Sequence, residues 1–138
     1  VRNYCEAVDV SAHMLLPIPA EPEGPGGVIV VCENFIVYKK VDHDDRECPI
    51  PRRNDMDQDR KLFCICYTIH KQKNLFFFIL QSDLGDLYKI TMNFTDNQVH
   101  SIQCQYFDTI SPCSSICLLK TGFIFAAAEF GNHYIYQI

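Results

Sequence analysis

Apolar residues come along this chain in short runs of β-branched or aromatic character, with turn-forming residues between them. Runs at 28–31, 35–38, 62–69, 75–80, 87–92, 99–106, 116–119, 123–128 and 134–138 have the lengths of strands. The separators are polar: Glu33-Asn34, then KQKN at 71–74, SDLGD at 82–86, TDNQ at 95–98, KTG at 120–122 and EFGNH at 129–133. No apolar stripe of 3.6-residue period exceeds two turns, so the pattern predicts no helix. Several runs, FFFIL at 76–80 among them, are apolar on both faces. A strand of that kind is usually covered on both sides. The chain is expected to be all-β.

The strands also repeat. FFFILQSDLGDLYKI at 76–90 matches FIFAAAEFGNHYIYQI at 123–138, with Gly85 on Gly131 and Tyr88 on Tyr134, an offset of 46 in each case (131 − 85; 134 − 88). A third copy, VIVVCENFIVY at 28–38, is one residue shorter in its turn and places Tyr38 50 residues before Tyr88 (88 − 38). A hairpin recurring every ~40–50 residues, with further strands between copies, is the signature of β-propeller blades. A β-sandwich would also carry short strands and frequent turns, but it has no need of these correspondences. The expectation is two to three blades, with hairpins 27–38, 75–90 and 122–138 equivalent in successive blades. Closed propellers need at least four blades. Residues 1–138 therefore read as a single segment of a propeller, an open fragment of a larger protein, and the absence of an initiator Met fits that reading. Terminal blades of such a fragment should expose apolar faces and favour self-association.

Two segments interrupt the repeat. PIPAEPEGPGG at 17–27 has four prolines and three glycines, too many for a central strand, and reads as a surface loop. The segment 42–61, DHDDRECPIPRRNDMDQDRK, carries charges of both signs and reads as a long solvated connection.

Composition narrows the functional classes. With 138 residues, 48% hydrophobic and 21% charged, the chain has the make-up of one ordinary globular unit. The net charge of −5 argues against non-specific binding to nucleic acid, which needs an excess of Lys and Arg. No apolar run approaches the ~20 residues of a membrane helix, and no secretory signal is visible at the start. Membrane association is not expected. Most of the eight cysteines sit inside apolar runs, as in LFCICYTI at 62–69, and read as buried free thiols rather than disulfides.

Candidate chemistry is sparse. Cys64, Cys66, Cys113, Cys117 and His133 offer soft metal ligands, but Cys64 and Cys66 read as mid-strand residues on one face, without the turn that presents a zinc pair. Asp55, Asp57 and Asp59 alternate like calcium ligands, yet Arg60 stands where the sharp turn needs glycine. The five histidines have no nucleophile elbow near them, and Gly24-Pro25-Gly26-Gly27 lacks the Lys and helix of a phosphate loop. The sequence therefore predicts no catalytic residue, cofactor or metal, with a metal-dependent or hydrolytic β-domain as the remaining enzymatic alternative. The sharpest feature is CPIPRRND at 48–55. Two prolines stiffen the approach, and adjacent guanidinium groups can grip carboxylate or phosphate. Arg46, Arg52, Arg53, Asn54 and Asp55 are candidate partner-binding residues; the competing possibility is that the arginines pair with Asp55, Asp57 or Asp59 in the same loop.

GGVIVVCENFIVYKK, RECPIPRRND, HKQKNLFFFILQSDLGDLYKIT and KTGFIFAAAEFGNHYIYQI resemble the family of large β-propeller subunits found in splicing factor 3b. Similar proteins serve the damaged-DNA-binding complex and the cleavage and polyadenylation factor. The resemblance covers the chain and is clearest from Gly27 onward. It implies an N-terminal propeller segment of a three-propeller, non-enzymatic nuclear scaffold, with WD40-like blades that lack the Trp-Asp dipeptide, consistent with the absence of Trp. It further implies action in pre-mRNA splicing within the U2 small nuclear ribonucleoprotein, beside a HEAT-repeat subunit and small accessory subunits. A propeller adaptor of the ubiquitin-ligase or cleavage–polyadenylation type is the first alternative.

Overall fold

A computed structural model describes residues 5–52, 60–72, 75–120, 122–128 and 132–138. Among them the ordered elements are eleven strands: β1 (Met14–Pro17), β2 (Val28–Val31), β3 (Phe35–Lys40), β4 (His43–Pro49), β5 (Cys64–Gln72), β6 (Leu75–Ser82), β7 (Asp86–Thr95), β8 (Gln98–Thr109), β9 (Cys113–Leu119), β10 (Phe123–Ala128) and β11 (Tyr134–Gln137). They form three antiparallel meanders, β1-β2-β3-β4, β5-β6-β7-β8 and β9-β10-β11. No helix of the described residues is long and apolar enough to cross a membrane.

The sheets stack as blades. One face of the second sheet (Phe76, Phe78, Leu80, Tyr88, Ile90, Ile102) packs with Leu16, Ile29, Val31, Ile36 and Tyr38 of the first. Its other face (Cys66, Ile79, Leu87) packs with Cys113, Ile116, Ile124 and Ala126 of the third. This explains the doubly apolar run at 76–80: alternate side chains feed two cores.

The 46-residue offset survives in the hydrogen-bond register. Leu80 pairs with Tyr88 and Ala126 with Tyr134; Ile79 pairs with Lys89 and Phe125 with Ile135; Phe78 pairs with Ile90 and Ile124 with Tyr136. Tyr88 and Tyr134 thus occupy equivalent positions in the third strands of their blades. Gly131 lies outside the described residues. Gly85 sits at φ 90° in the β6–β7 turn, where a Cβ would meet the Ile110 carbonyl oxygen at 2.0 Å. Only glycine fits there.

Other expectations need correction. Tyr38 lies in the equivalent strand, β3, but points into the same core as Tyr88 from the opposite side, because the β2–β3 turn is one residue shorter and inverts the alternation. Residues 43–49, read as loop, form β4. This outer strand pairs through backbone with β3 while its Asp44, Asp45 and Glu47 face solvent, so its polar sequence hides a backbone ladder whose register shifts between Tyr38 and Lys40. The short β1 was likewise concealed at the head of the proline-rich segment. That loop is held by Tyr38, whose hydroxyl donates to the Gly26 carbonyl (2.6 Å), and by a bond from Gly26 N–H to Pro19 O (2.9 Å). Cys64 and Cys66 do not share a face. The β5–β6 register shifts between them, so Cys64 enters the first core and Cys66 the second.

The two end faces are unequal. On the third sheet Leu119, Phe125 and Ile135 are exposed, the last by 63%. On the first, Val30 and Val37 are buried while Leu15 is exposed beside an open groove of about 530 Å³ lined by Val8, Val28 and Val41.

Candidate functional site

The chain leaves the first blade after β4 and enters the second before β5, and both crossings meet at Asn34 in the β2–β3 turn. Asn34 adopts φ 72°, a left-handed conformation that Asn tolerates better than most residues. Its carbonyl accepts from Ile50 N–H (2.9 Å), and its own N–H donates to Leu62 O (2.9 Å). Its side-chain oxygen accepts from Leu62 N–H (2.9 Å) and from Arg52 Nη1 (2.8 Å). Arg52 also donates to the Arg60 carbonyl. Arg60 in turn pairs with Asp83 (2.9 Å), and the Tyr88 hydroxyl donates to Pro51 O (3.0 Å). The two ends of the CPIPRRND excursion are therefore fastened at one point, and Arg52 is part of the fastening.

Of the five candidate residues, Arg46 and Arg52 fall among the described residues, and they engage different groups. Arg52 is exposed but engaged at this neck. Arg46 sits on β4 and donates from Nε to the Val99 carbonyl of β8 (3.1 Å), tying the outer strands of two blades. Arg53, Asn54 and Asp55, and the proposed acidic partners Asp57 and Asp59, lie outside the described residues.

Sequence reading missed the seam residues. His13 Nε2 accepts from Cys64 N–H (3.0 Å), and His43 Nε2 accepts from Val99 N–H (3.0 Å). These partners lie 51 and 56 residues away, so no local pattern announces them. Asn34 carried a faint signal, since Asn in a tight turn supplies both positive φ and a side-chain acceptor.

At the other seam, Gln81 is fully buried. Its Oε1 accepts from Cys113 N–H (2.9 Å) and Cys66 Sγ (3.4 Å), and its Nε2 donates to Ser111 O (3.1 Å) and Gly85 O (3.2 Å). Every polar position of the amide is used, as a buried group requires.

The thiols are free: Cys32, Cys64, Cys66, Cys104 and Cys113 are buried, whereas Cys5 and Cys117 are exposed. Burial, followed by the neighbouring Cys113, pushes Cys66 up to about 12; burial, then Cys48, does the same for Cys104. Such thiols resist forming the thiolate that metals and electrophiles need. Among the described residues no three His, Cys, Asp or Glu side chains gather as a metal site.

Comparison with known proteins accords with this architecture. The model of the RSE1/DDB1/CPSF1 first beta-propeller matches residues 1–138. The chain is 46% identical to Splicing factor 3B subunit 3 of Drosophila melanogaster over its whole length, and 45% identical to that of Danio rerio. It is 43% identical over 99% of its length to Spliceosome-associated protein 130 A of Arabidopsis thaliana. The chain spans 12% of the two animal relatives and 11% of the plant one. Three stacked antiparallel blades, a register repeating at 46 residues and a match along the full sequence together place this chain in the RSE1/DDB1/CPSF1 first β-propeller family.

Proposed function

We propose that the chain is a non-enzymatic scaffold segment, part of the first propeller of a large multi-propeller protein that acts in pre-mRNA splicing in the nucleus. The observation that carries this reading is the 46% identity, over all of the chain, to a splicing factor 3B subunit. The site chemistry supports it. The fully buried Gln81 amide binds backbone of the neighbouring blade, and buried thiols such as Cys66 are held protonated. Both are devices for rigidity rather than for turnover.

The partners are protein subunits of splicing factor 3b, a HEAT-repeat subunit and small accessory subunits. Direct contact with nucleic acid or membrane is not part of the role. Residues 52–55 are the proposed contact segment, carried on a neck that Asn34 and Arg52 hold in place, with Arg46 supporting the adjoining blade edge. Affinity purification of the full-length protein followed by mass spectrometry tests the assignment. Recovery of splicing factor 3b subunits supports it, and recovery of cullin-type ligase or polyadenylation components instead would overturn it. In the same experiment the double change Arg52→Ala and Arg53→Ala should weaken partner recovery by ~2 kcal/mol or more, the scale of an interface hot spot. Its effect on stability should stay near 1 kcal/mol, because Arg52 is exposed. Undiminished recovery would remove the segment from the interface.

A further inference from the structure

We propose that His13 and His43 are paired proton-sensitive latches closing the seam between the first two blades. The two imidazoles stand at separate points of that seam and use the same bonding pattern. His13 Nδ1 meets the Ser11 carbonyl (3.0 Å) while its Nε2 meets Cys64 N–H across the seam (3.0 Å). His43 Nδ1 meets the Asp44 carbonyl (2.5 Å) while its Nε2 meets Val99 N–H across the seam (3.0 Å). A carbonyl can only accept and a backbone N–H can only donate, so this bonding pattern calls for a ring with its proton on Nδ1 and a bare Nε2. A proton added at Nε2 points N–H at N–H, and Cys64 or Val99 loses its acceptor.

The latches sit where they matter. Cys64 opens β5, and its side chain is in the first core; Val99 belongs to β8, and its side chain is in the same core. His13 is exposed and His43 half-buried, so protons reach both. The His43 ring stands edge-on to Tyr38 (5.3 Å) and that of His13 edge-on to Phe63 (6.1 Å), which fixes their planes.

Surrounding charges are largely committed elsewhere. Near His43, Arg46 donates to the carbonyl of the same Val99, Lys40 to the carbonyls of Pro25 and Asn97, and Lys39 to Glu6 and Asp45, while His100 of β8 bonds Thr95. Asp42 and Asp44 are exposed on its own sheet. Near His13, Asp9 is held by Ser11, Glu33 by Lys61 and Asp83 by Arg60, and the Cys64 thiol is neutral at ordinary pH. A cation on His43 would share Val99 with the Arg46 guanidinium, with no carboxylate bonded to its Nε2 in exchange.

Long-range nitrogen–proton NMR of this chain reads the ring forms directly, and amide hydrogen exchange reads the seam. At pH 7.5 His13 and His43 should both show the Nδ1–H form. On lowering the pH to 5.5, protection of the Cys64 and Val99 amides, corrected for intrinsic rate, should fall about tenfold, the scale of one lost hydrogen bond. Protection of Leu80, inside the second sheet, should hold. The variants His13→Gln and His43→Gln keep an acceptor oxygen but do not titrate, and each should abolish the fall at its own amide. Finding the Nε2–H form in either ring, or unchanged protection at pH 5.5, would overturn the proposal. So would an equal loss in the Gln variants, which would mark general acid unfolding. Should a variant fail to fold, the ring forms and amide protection of the unaltered chain decide alone.

Discussion

The seam between the first and second blades and the seam between the second and third use one sheet as a shared wall, yet they are built differently. The first combines a broad apolar core with polar clasps around it: Asn34 with Leu62, His13 with Cys64, His43 and Arg46 with Val99, and Tyr88 with Pro51. The second has a smaller core, and its principal clasp, Gln81, lies inside it, helped by Thr68, whose hydroxyl accepts from Leu118 N–H (3.2 Å). A wide interface can leave its polar bonds at the rim, where water competes for them. A narrow one gains more from a bond that water cannot reach, at the cost of depending on it.

The largest expected effect separates the cores. Phe78→Ala removes a ring that is 1% exposed from the first seam and should cost about 3–5 kcal/mol in urea denaturation. A loss below ~1 kcal/mol would mean that the first seam is not the main source of cohesion. Next comes the clasp. Gln81→Ala leaves Cys113 N–H without its acceptor and takes one donor each from the carbonyls of Ser111 and Gly85, which keep Cys113 Sγ and Ile110 N–H. It should cost about 2–3 kcal/mol, with hydrogen exchange accelerating in β9 and β10 before β2 and β3. Uniform acceleration would deny that the second seam opens independently.

Alkaline titration acts on both seams. An unfolded thiol ionises near 9.0, whereas Cys66 and Cys104 hold their protons to about 12. The folded chain therefore binds more protons than the unfolded one between those values, so this stabilisation is complete below pH 9 and declines as pH rises toward 12. The decline should reach ~1 kcal/mol per thiol by pH ~10, and Cys66→Ser and Cys104→Ser should each flatten their share of the slope. Stability indifferent to pH from 8 to 10 would contradict it. The smallest effect on stability belongs to the uncovered end. Phe125→Lys alters an exposed ring and should change stability by only ~0.5 kcal/mol while reducing self-association measured by light scattering. A chain that is monomeric before the change would show that the exposed face does not drive association.

Much of this architecture could be read in the residues. Doubly apolar runs such as 76–80 marked strands packed on both sides, and the Tyr88–Tyr134 offset marked equivalent positions that the register bears out. What escaped was of three physical kinds. The outer strand β4 owes its existence to backbone pairing with β3, so its side chains are free to be charged and carry no periodic signal. The bulge at Ile65 and the shorter β2–β3 turn each shift alternation by one residue, which reverses a face without changing composition. The seam bonds of His13 and His43 join residues more than 50 positions apart, and single-chain pattern reading has no access to such pairs. Of the candidate contact residues, Arg46 and Arg52 were singled out for charge and turned out to be engaged with backbone and turn groups.

The neck at Asn34 has a consequence for how this sequence can change length. Because Ile50 and Leu62 are both fastened to one residue, the span between them is a closed ring in the polymer sense. Lengthening such a ring costs entropy only logarithmically, about 0.6 kcal/mol for each doubling. Insertions between Arg52 and Arg60 should thus leave the blades on either side in register, and the segment offers a place to graft foreign sequence or a reporter. The same tolerance ends at Asn34, whose replacement would take the side-chain acceptor from Leu62 N–H and Arg52 and leave the ring held by backbone bonds alone.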